Sequence, residues 1–292
     1  MTIRTAIQDF LVEIEIRKYT IRTQRGYKTN LNVFATYCEE ELQITDMDDV
    51  DMVVLKRFTQ RMIQLGHKGT YINALLKTAK SFIQYCYEEE LGGWDTRKRG
   101  FKWVKQEVPV IKPFQPSDIR QILRNCMGHD FFSIRDTAII TTFIETGIRC
   151  AELCAIQPKD VKEDYIIIRN GKNHKERLVG ITPILKKALL RYNRCRESYF
   201  SYKIPEDYYF LSQTGRMLTN SAVEHLVKHR ATGVNAENVR ISPHTFRHFF
   251  AVQSLKQGRD IYSISTQLSS DTSAKGEGAI IDMQSPSSRP QQ

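Results

Sequence analysis

No run of about 18 or more apolar residues occurs in the sequence, and its opening stretch, "MTIRTAIQDF", has no apolar segment. The first absence argues against a membrane-spanning helix and the second against a secretory signal, so a cytoplasmic location and no membrane partner are expected. The six cysteines (Cys38, Cys86, Cys126, Cys150, Cys154 and Cys195) form no C-x-x-C pair. Neither a zinc knuckle nor a disulfide framework is indicated, and the thiols should be reduced and mostly buried. The pairs His225/His229 and His244/His248 have i, i+4 spacing, but neither lies in an H-E-x-x-H arrangement. No metal and no cofactor are therefore expected.

The 292 residues are enough for two cores, and a composition of 41% hydrophobic and 26% charged residues is that of an ordinary folded protein. The formal net charge of +10 permits a polyanionic partner without requiring one.

Helical periodicity fills the first hundred residues. The clearest case is "TYINALLKTAKSFIQYCY", residues 70–87, where Ile72, Leu75, Leu76, Ala79, Phe82, Ile83 and Cys86 recur at i, i+3, i+4 and i+7. Helices over 3–17, about 22–42 and about 52–64 complete a four-helix domain. Residues 95–116 carry Pro109, Pro113 and Pro116 and read as a linker. Its basic residues Arg97, Lys98, Arg99, Lys102 and Lys105 stand among Phe101 and Trp103 and could track a phosphate backbone; a solvated hinge is the equal alternative.

The second half opens with helices in "QPSDIRQILRNC" and "FFSIRDTAIITTFIETG", the latter apolar enough to be central. A β-hairpin follows from "YIIIR" and "ERLVGIT" joined by "NGKNHK", then helices over 183–199, 219–230 and 244–257. The last 22 residues include twelve Ser, Thr, Gly, Pro or Gln and read as disordered.

Three pieces of this half could converge on an anion. Arg149 follows Gly147 at a sharp break between helices, and Lys172 stands at the hairpin tip. In "SPHTFRHFF", His244 and Arg247 share one face of a first helical turn, with Ser242 suited to the N-cap and Pro243 to the first position. Helix N-termini favour negative charge, guanidiniums grip phosphate oxygens in pairs, and a lysine on a loop can deliver a proton. A phosphodiester suits such a set, because its transition state spreads charge over oxygens that fixed donors stabilise.

Together and in this order, "TGIRCAEL", "GKNHKERL" and "SPHTFRHFFAVQSLKQG" resemble the tyrosine recombinase (phage integrase) family, from about residue 3 to about 266. The resemblance implies a mainly α architecture with a small β-sheet in an α+β catalytic domain. It divides the chain into a helical core-binding, SAM-like DNA-binding domain (1–107), a linker (108–116), a catalytic domain incomplete at its C-terminus (117–268) and a disordered tail (269–292). It implies that Arg149 and Arg247 clamp the scissile phosphate, that His244 hydrogen-bonds it and assists proton transfer, and that Lys172 is the acid for the leaving 5′-hydroxyl. Glu152 and His248 would support them. The partner would be duplex DNA, bound by a homo-tetramer that is monomeric in solution, with no metal or nucleotide consumed. The family's Leu-Gly-His element and nucleophilic tyrosine are not found: no histidine follows His248 and no tyrosine follows Tyr262. Tyr262 itself is expected to pack in the core rather than to attack phosphorus.

Overall fold

The computed structural model describes residues 1–98, 100, 102–106, 112–169, 176–234 and 239–268. The chain divides into two compact units, Met1–Pro109 and Val110–Gln292.

Among its described residues the first unit holds four α-helices, α1 (Ile3–Ile16), α2 (Ile21–Leu42), α3 (Met52–Gln64) and α4 (Gly69–Glu88). Three of them start on a capping side chain, since Thr2, Thr20 and Asp51 each accept a hydrogen bond from the backbone N–H three residues on. One apolar stripe per helix meets the others in a core that includes Phe10, Leu31, Phe34, Phe58, Leu76 and Phe82. Residues expected in a linker are partly tied down, since the Asn73 amide on α4 grips Val104 through both its N–H and its carbonyl, each at 2.9 Å.

The second unit runs α5 (Pro116–Asn125), α6 (Phe131–Thr146), α7 (Cys150–Ala155), β1 (Tyr165–Ile168), β2 (Arg177–Gly180), α8 (Pro183–Tyr199), α9 (Asn220–Arg230), α10 (Pro243–Lys256) and α11 (Ile261–Leu268). Helix α6 is buried over most of its surface, with Ile134, Ala138, Ile139, Ile140 and Phe143 in the core, and α8 and α10 pack against it. Toward its start polar side chains take over. Asp136 accepts from Arg135 and Arg230 at 2.8 Å each, joining α6 to α9 inside the unit.

Strands β1 and β2 pair antiparallel, with Tyr165 opposite Gly180 and Ile168 opposite Arg177. Alternation along β2 leaves Leu178 and Gly180 exposed and turns Arg177 and Val179 inward. Helix α11 is an element that the sequence reading did not include, although Ile261, Ile264 and Leu268 stand at i, i+3 and i+7. Asp260 caps it by accepting from the N–H groups of Tyr262 and Ser263, and Ile264 and Leu268, one turn apart, pack on Phe250 and Ala251 of α10. That arrangement corrects the expectation for Tyr262. Two residues from Ile264 on a helix is the opposite face, and Tyr262 is 74% exposed.

Candidate anion-binding site

The site begins where α6 stops. Gly147 ends the helix in the left-handed region at φ +62°, which L side chains rarely adopt. A Cβ there would also stand 2.6 Å from the Phe250 ring and 2.8 Å from Leu268. The reversal sets Arg149 at the N-cap of α7, where its backbone N–H donates to Glu152 Oε2 at 2.8 Å and its Nη1 to Oε1 at 2.9 Å. The Arg149 side chain remains 44% exposed, whereas Glu152 is 2% exposed.

Helix α10 brings the second cluster. Ser242 has the extended backbone of an N-cap, but its hydroxyl makes no bond to a helix N–H, contrary to the sequence expectation. It meets the Thr245 hydroxyl at 3.1 Å, and Thr245 in turn donates to the Arg240 carbonyl. Arg247 donates through Nη1 to the Gly147 carbonyl at 2.8 Å and through Nη2 to the Leu268 carbonyl. The guanidinium is thus held by the end of α6 and the end of α11, with three of its five N–H groups beyond these two bonds. Burial, and then the nearby charge of Arg149, bring its pKa down to about 10, so it stays charged at neutral pH.

His244 and His248, one turn apart, meet edge to face at 4.6 Å between ring centres. Both imidazoles are pulled below their ordinary pKa, His244 by burial and then by His248, Arg247, Arg240 and Arg149, His248 by burial and then by Arg247. Among the described residues no group of three or more His, Cys, Asp or Glu side chains stands ready to hold a metal ion.

A cavity of about 310 Å³ opens between these pieces, lined by Arg149, Arg240, His244 and Arg247 together with Glu224, Cys150 and the Ser242–Thr245 turn. Three guanidiniums and an imidazole face one carboxylate there, and an anion of phosphate size would meet fixed donors without drawing them together first. Lys172 and Arg99 lie outside the described residues. Of the other basic residues between 97 and 105, Arg97 pairs with Glu88 at 3.0 Å and with Asp95, and Lys98 with Asp95 at 3.9 Å. Lys102 and Lys105 flank Trp103 and Val104 in the same unit as α4.

Two participants escaped the sequence reading. Arg240 lines the cavity four residues before His244, a spacing that could have been read as the turn before the helix. Arg177 binds Glu152 from the hairpin, and its inward place in the β2 alternation was the available signal.

A model of the phage integrase family matches residues 112–269. The chain is 29% identical over 261 residues to tyrosine recombinase XerC of Thermodesulfovibrio yellowstonii, covering 87% of this chain and 84% of that protein. It is 24% identical over 274 residues to tyrosine recombinase XerD of Halalkalibacterium halodurans, covering 91% and 89%. In fold it is similar to a lambda integrase dimer bound to a COC′ core site, with TM-score 0.74, 15% identity and coverage of 95% and 97%. The Tn1549 transposon integrase in complex with transposon right-end DNA gives TM-score 0.72, 18% identity and coverage of 97% and 98%.

Proposed function

Because this chain belongs to the phage integrase family, we propose that it acts on duplex DNA as a tyrosine-type site-specific recombinase, with the cavity beside α10 as its phosphate site. One observation carries this reading: residues a hundred positions apart, Arg149 on one side and His244 and Arg247 on the other, line a single cavity. The names of the relatives, tyrosine recombinases XerC and XerD, and the DNA-bound state of the integrases of similar fold, support it.

In the proposed reaction Arg149 and Arg247 grip the non-bridging oxygens of the scissile phosphate, and His244 adds a donor. A tyrosine hydroxyl attacks phosphorus and gives up its proton with the assistance of His244, the bond to the 5′-oxygen breaks, and Lys172 gives the leaving oxygen its proton. The 3′-phosphotyrosyl bond keeps the energy for rejoining, so neither metal nor nucleotide is needed. Glu152 and His248 support the clamp. The basic residues Arg97, Lys98, Arg99, Lys102 and Lys105 contribute phosphate contacts away from the reacting centre. The protein works as a tetramer on DNA, is monomeric when free, and resides in the cytoplasm. Residues 1–107 form the core-binding domain and 117–268 the catalytic one.

No tyrosine follows Tyr262, and Tyr262 is exposed on α11 rather than lining the cavity. We propose that this chain is defective in cleavage alone, and acts beside a protomer that supplies the tyrosine. The same observation favours a second reading, a non-catalytic occupant of recombination sites.

A nicked duplex, selected for binding from random sequence, tests both parts. No covalent protein–DNA adduct should form with this chain alone, and an adduct that disappears in Tyr262→Phe would overturn the assignment. Arg149→Ala and Arg247→Ala should each weaken binding by roughly 5- to 50-fold, the range of a lost charge-assisted phosphate contact. Unchanged affinity in both would remove the clamp.

A further inference from the structure

Arg177 has no place in the reaction above, yet all three of its guanidinium nitrogens are engaged. Its Nη1 and Nη2 donate to Glu152 Oε1 and Oε2 at 2.9 and 2.6 Å, fork against fork. Its Nε donates to the Gln267 carbonyl of α11 at 3.0 Å. The side chain is 11% exposed and does not line the cavity, so it does not meet the ligand directly.

The link to the cavity is the carboxylate. Glu152 receives four N–H groups, two from Arg177 and two from Arg149, and both of its oxygens are used twice. Held by Arg149 alone, the carboxylate could rotate with that exposed side chain. Gripped from β2 as well, it has a single orientation, and Arg149 Nη1 is directed by it.

We infer that Arg177 is a positioning residue for the anion site, fixing through Glu152 the direction in which Arg149 meets the bound phosphate. The inference rests on the reading of the cavity as a phosphate site. It also makes the Gln267 carbonyl at the end of α11 part of the support, since that contact fixes the third arm of the same guanidinium.

The groups facing Glu152 give this role a distinctive signature. They are Arg149 at the start of α7, Arg177 from β2 and Arg247 from α10, while α11 contributes only backbone carbonyls. Burial pushes the Glu152 carboxyl upward, and the hydrogen bonds and charge of Arg177 and Arg149 outweigh it and bring the pKa down to about 2. With Arg177 gone, burial faces a weaker opponent, and the carboxyl should titrate in the mildly acidic range. Once protonated it no longer directs Arg149.

The experiment measures affinity of the full chain for the selected duplex from pH 8 to pH 5, alongside the thermal midpoint, for wild type, Arg177→Met, Arg177→Lys, Arg149→Ala and the double variant Arg177→Met/Glu152→Gln. Arg177→Met should bind about 5- to 10-fold more weakly at pH 8, and its deficit against wild type should widen further toward pH 5. Arg177→Lys, which keeps the charge and folds more readily, should show a smaller, nearly pH-independent deficit. In the double variant the widening should vanish. A deficit in Arg177→Met that stays constant with pH while the midpoint falls would make Arg177 a purely structural residue and overturn the inference. If Arg149→Ala weakens binding and Arg177→Met does not, the positioning role alone fails; if neither does, the phosphate site itself fails.

Discussion

His244 shows how a single side chain can report on its ligand. In the free protein burial and the surrounding cations hold its pKa below the ordinary value of 6.5. A phosphate placed against it would reverse the balance, so binding should take up a proton. Duplex affinity is therefore expected to rise as the pH falls from 8 toward 6, and His244→Asn should flatten that rise. A wild-type profile identical to that of the variant would place the histidine outside the contact. Gly147 makes a prediction of a different kind. Alanine there combines a left-handed backbone with a contact of 2.6 Å to Phe250, so Gly147→Ala should destabilise the second unit by roughly 2–4 kcal/mol, read as a lowered denaturation midpoint. At this scale the sequence was informative wherever backbone chemistry left a mark. The glycine before Arg149 and the proline before His244 located two of the breaks that build the site. Arg177 and Arg240 left no such mark, because their roles depend on which residues face them across the fold rather than on their neighbours in the chain.

Among the elements, helices with long regular apolar stripes were legible to within about two residues, as α3 and α4 illustrate. Helix α11 was not, since its eight residues "IYSISTQL" give barely two turns, too few for the spacing of Ile261, Ile264 and Leu268 to stand out. What stabilises it is tertiary: Ile264 and Leu268 against Phe250, and carbonyls at its end accepting from Arg177 and Arg247. The start of α8 is a contrasting case, dictated locally. Thr182 accepts from the Leu185 N–H at 3.2 Å and donates to Glu145 on α6 at 2.7 Å. Thr182→Ala should cost about 1–2 kcal/mol, a little more than an isolated cap because Glu145 also loses its partner; urea titration would show the change in midpoint. A loss near zero would mean that packing of α8 on α6 suffices to set the helix start. The hairpin was legible as two β-rich runs, and alternation with Val179 could have turned Arg177 inward, but the register that sets Ile168 opposite Arg177 emerged only from the fold.

For the whole molecule, the mainly helical architecture with one small sheet followed from periodicity, whereas the convergence of residues 149, 240, 244 and 247 on one cavity required the fold. Two apolar cores, one built around Phe34, Phe58 and Phe82 and the other around Phe143, Tyr192 and Phe246, belong to separate units. Calorimetry should accordingly resolve two unfolding transitions, of which Gly147→Ala shifts only one. A single transition moved as a whole by that substitution would show that the units melt together. The separation also bears on inheritance. A crossover between two related genes that falls after the codon of Val104 and before that of Phe114 would exchange one unit for another while each of these two apolar clusters stayed whole. One falling within α6 would leave a single core assembled from two histories. New pairings of the two units can thus arise in one step.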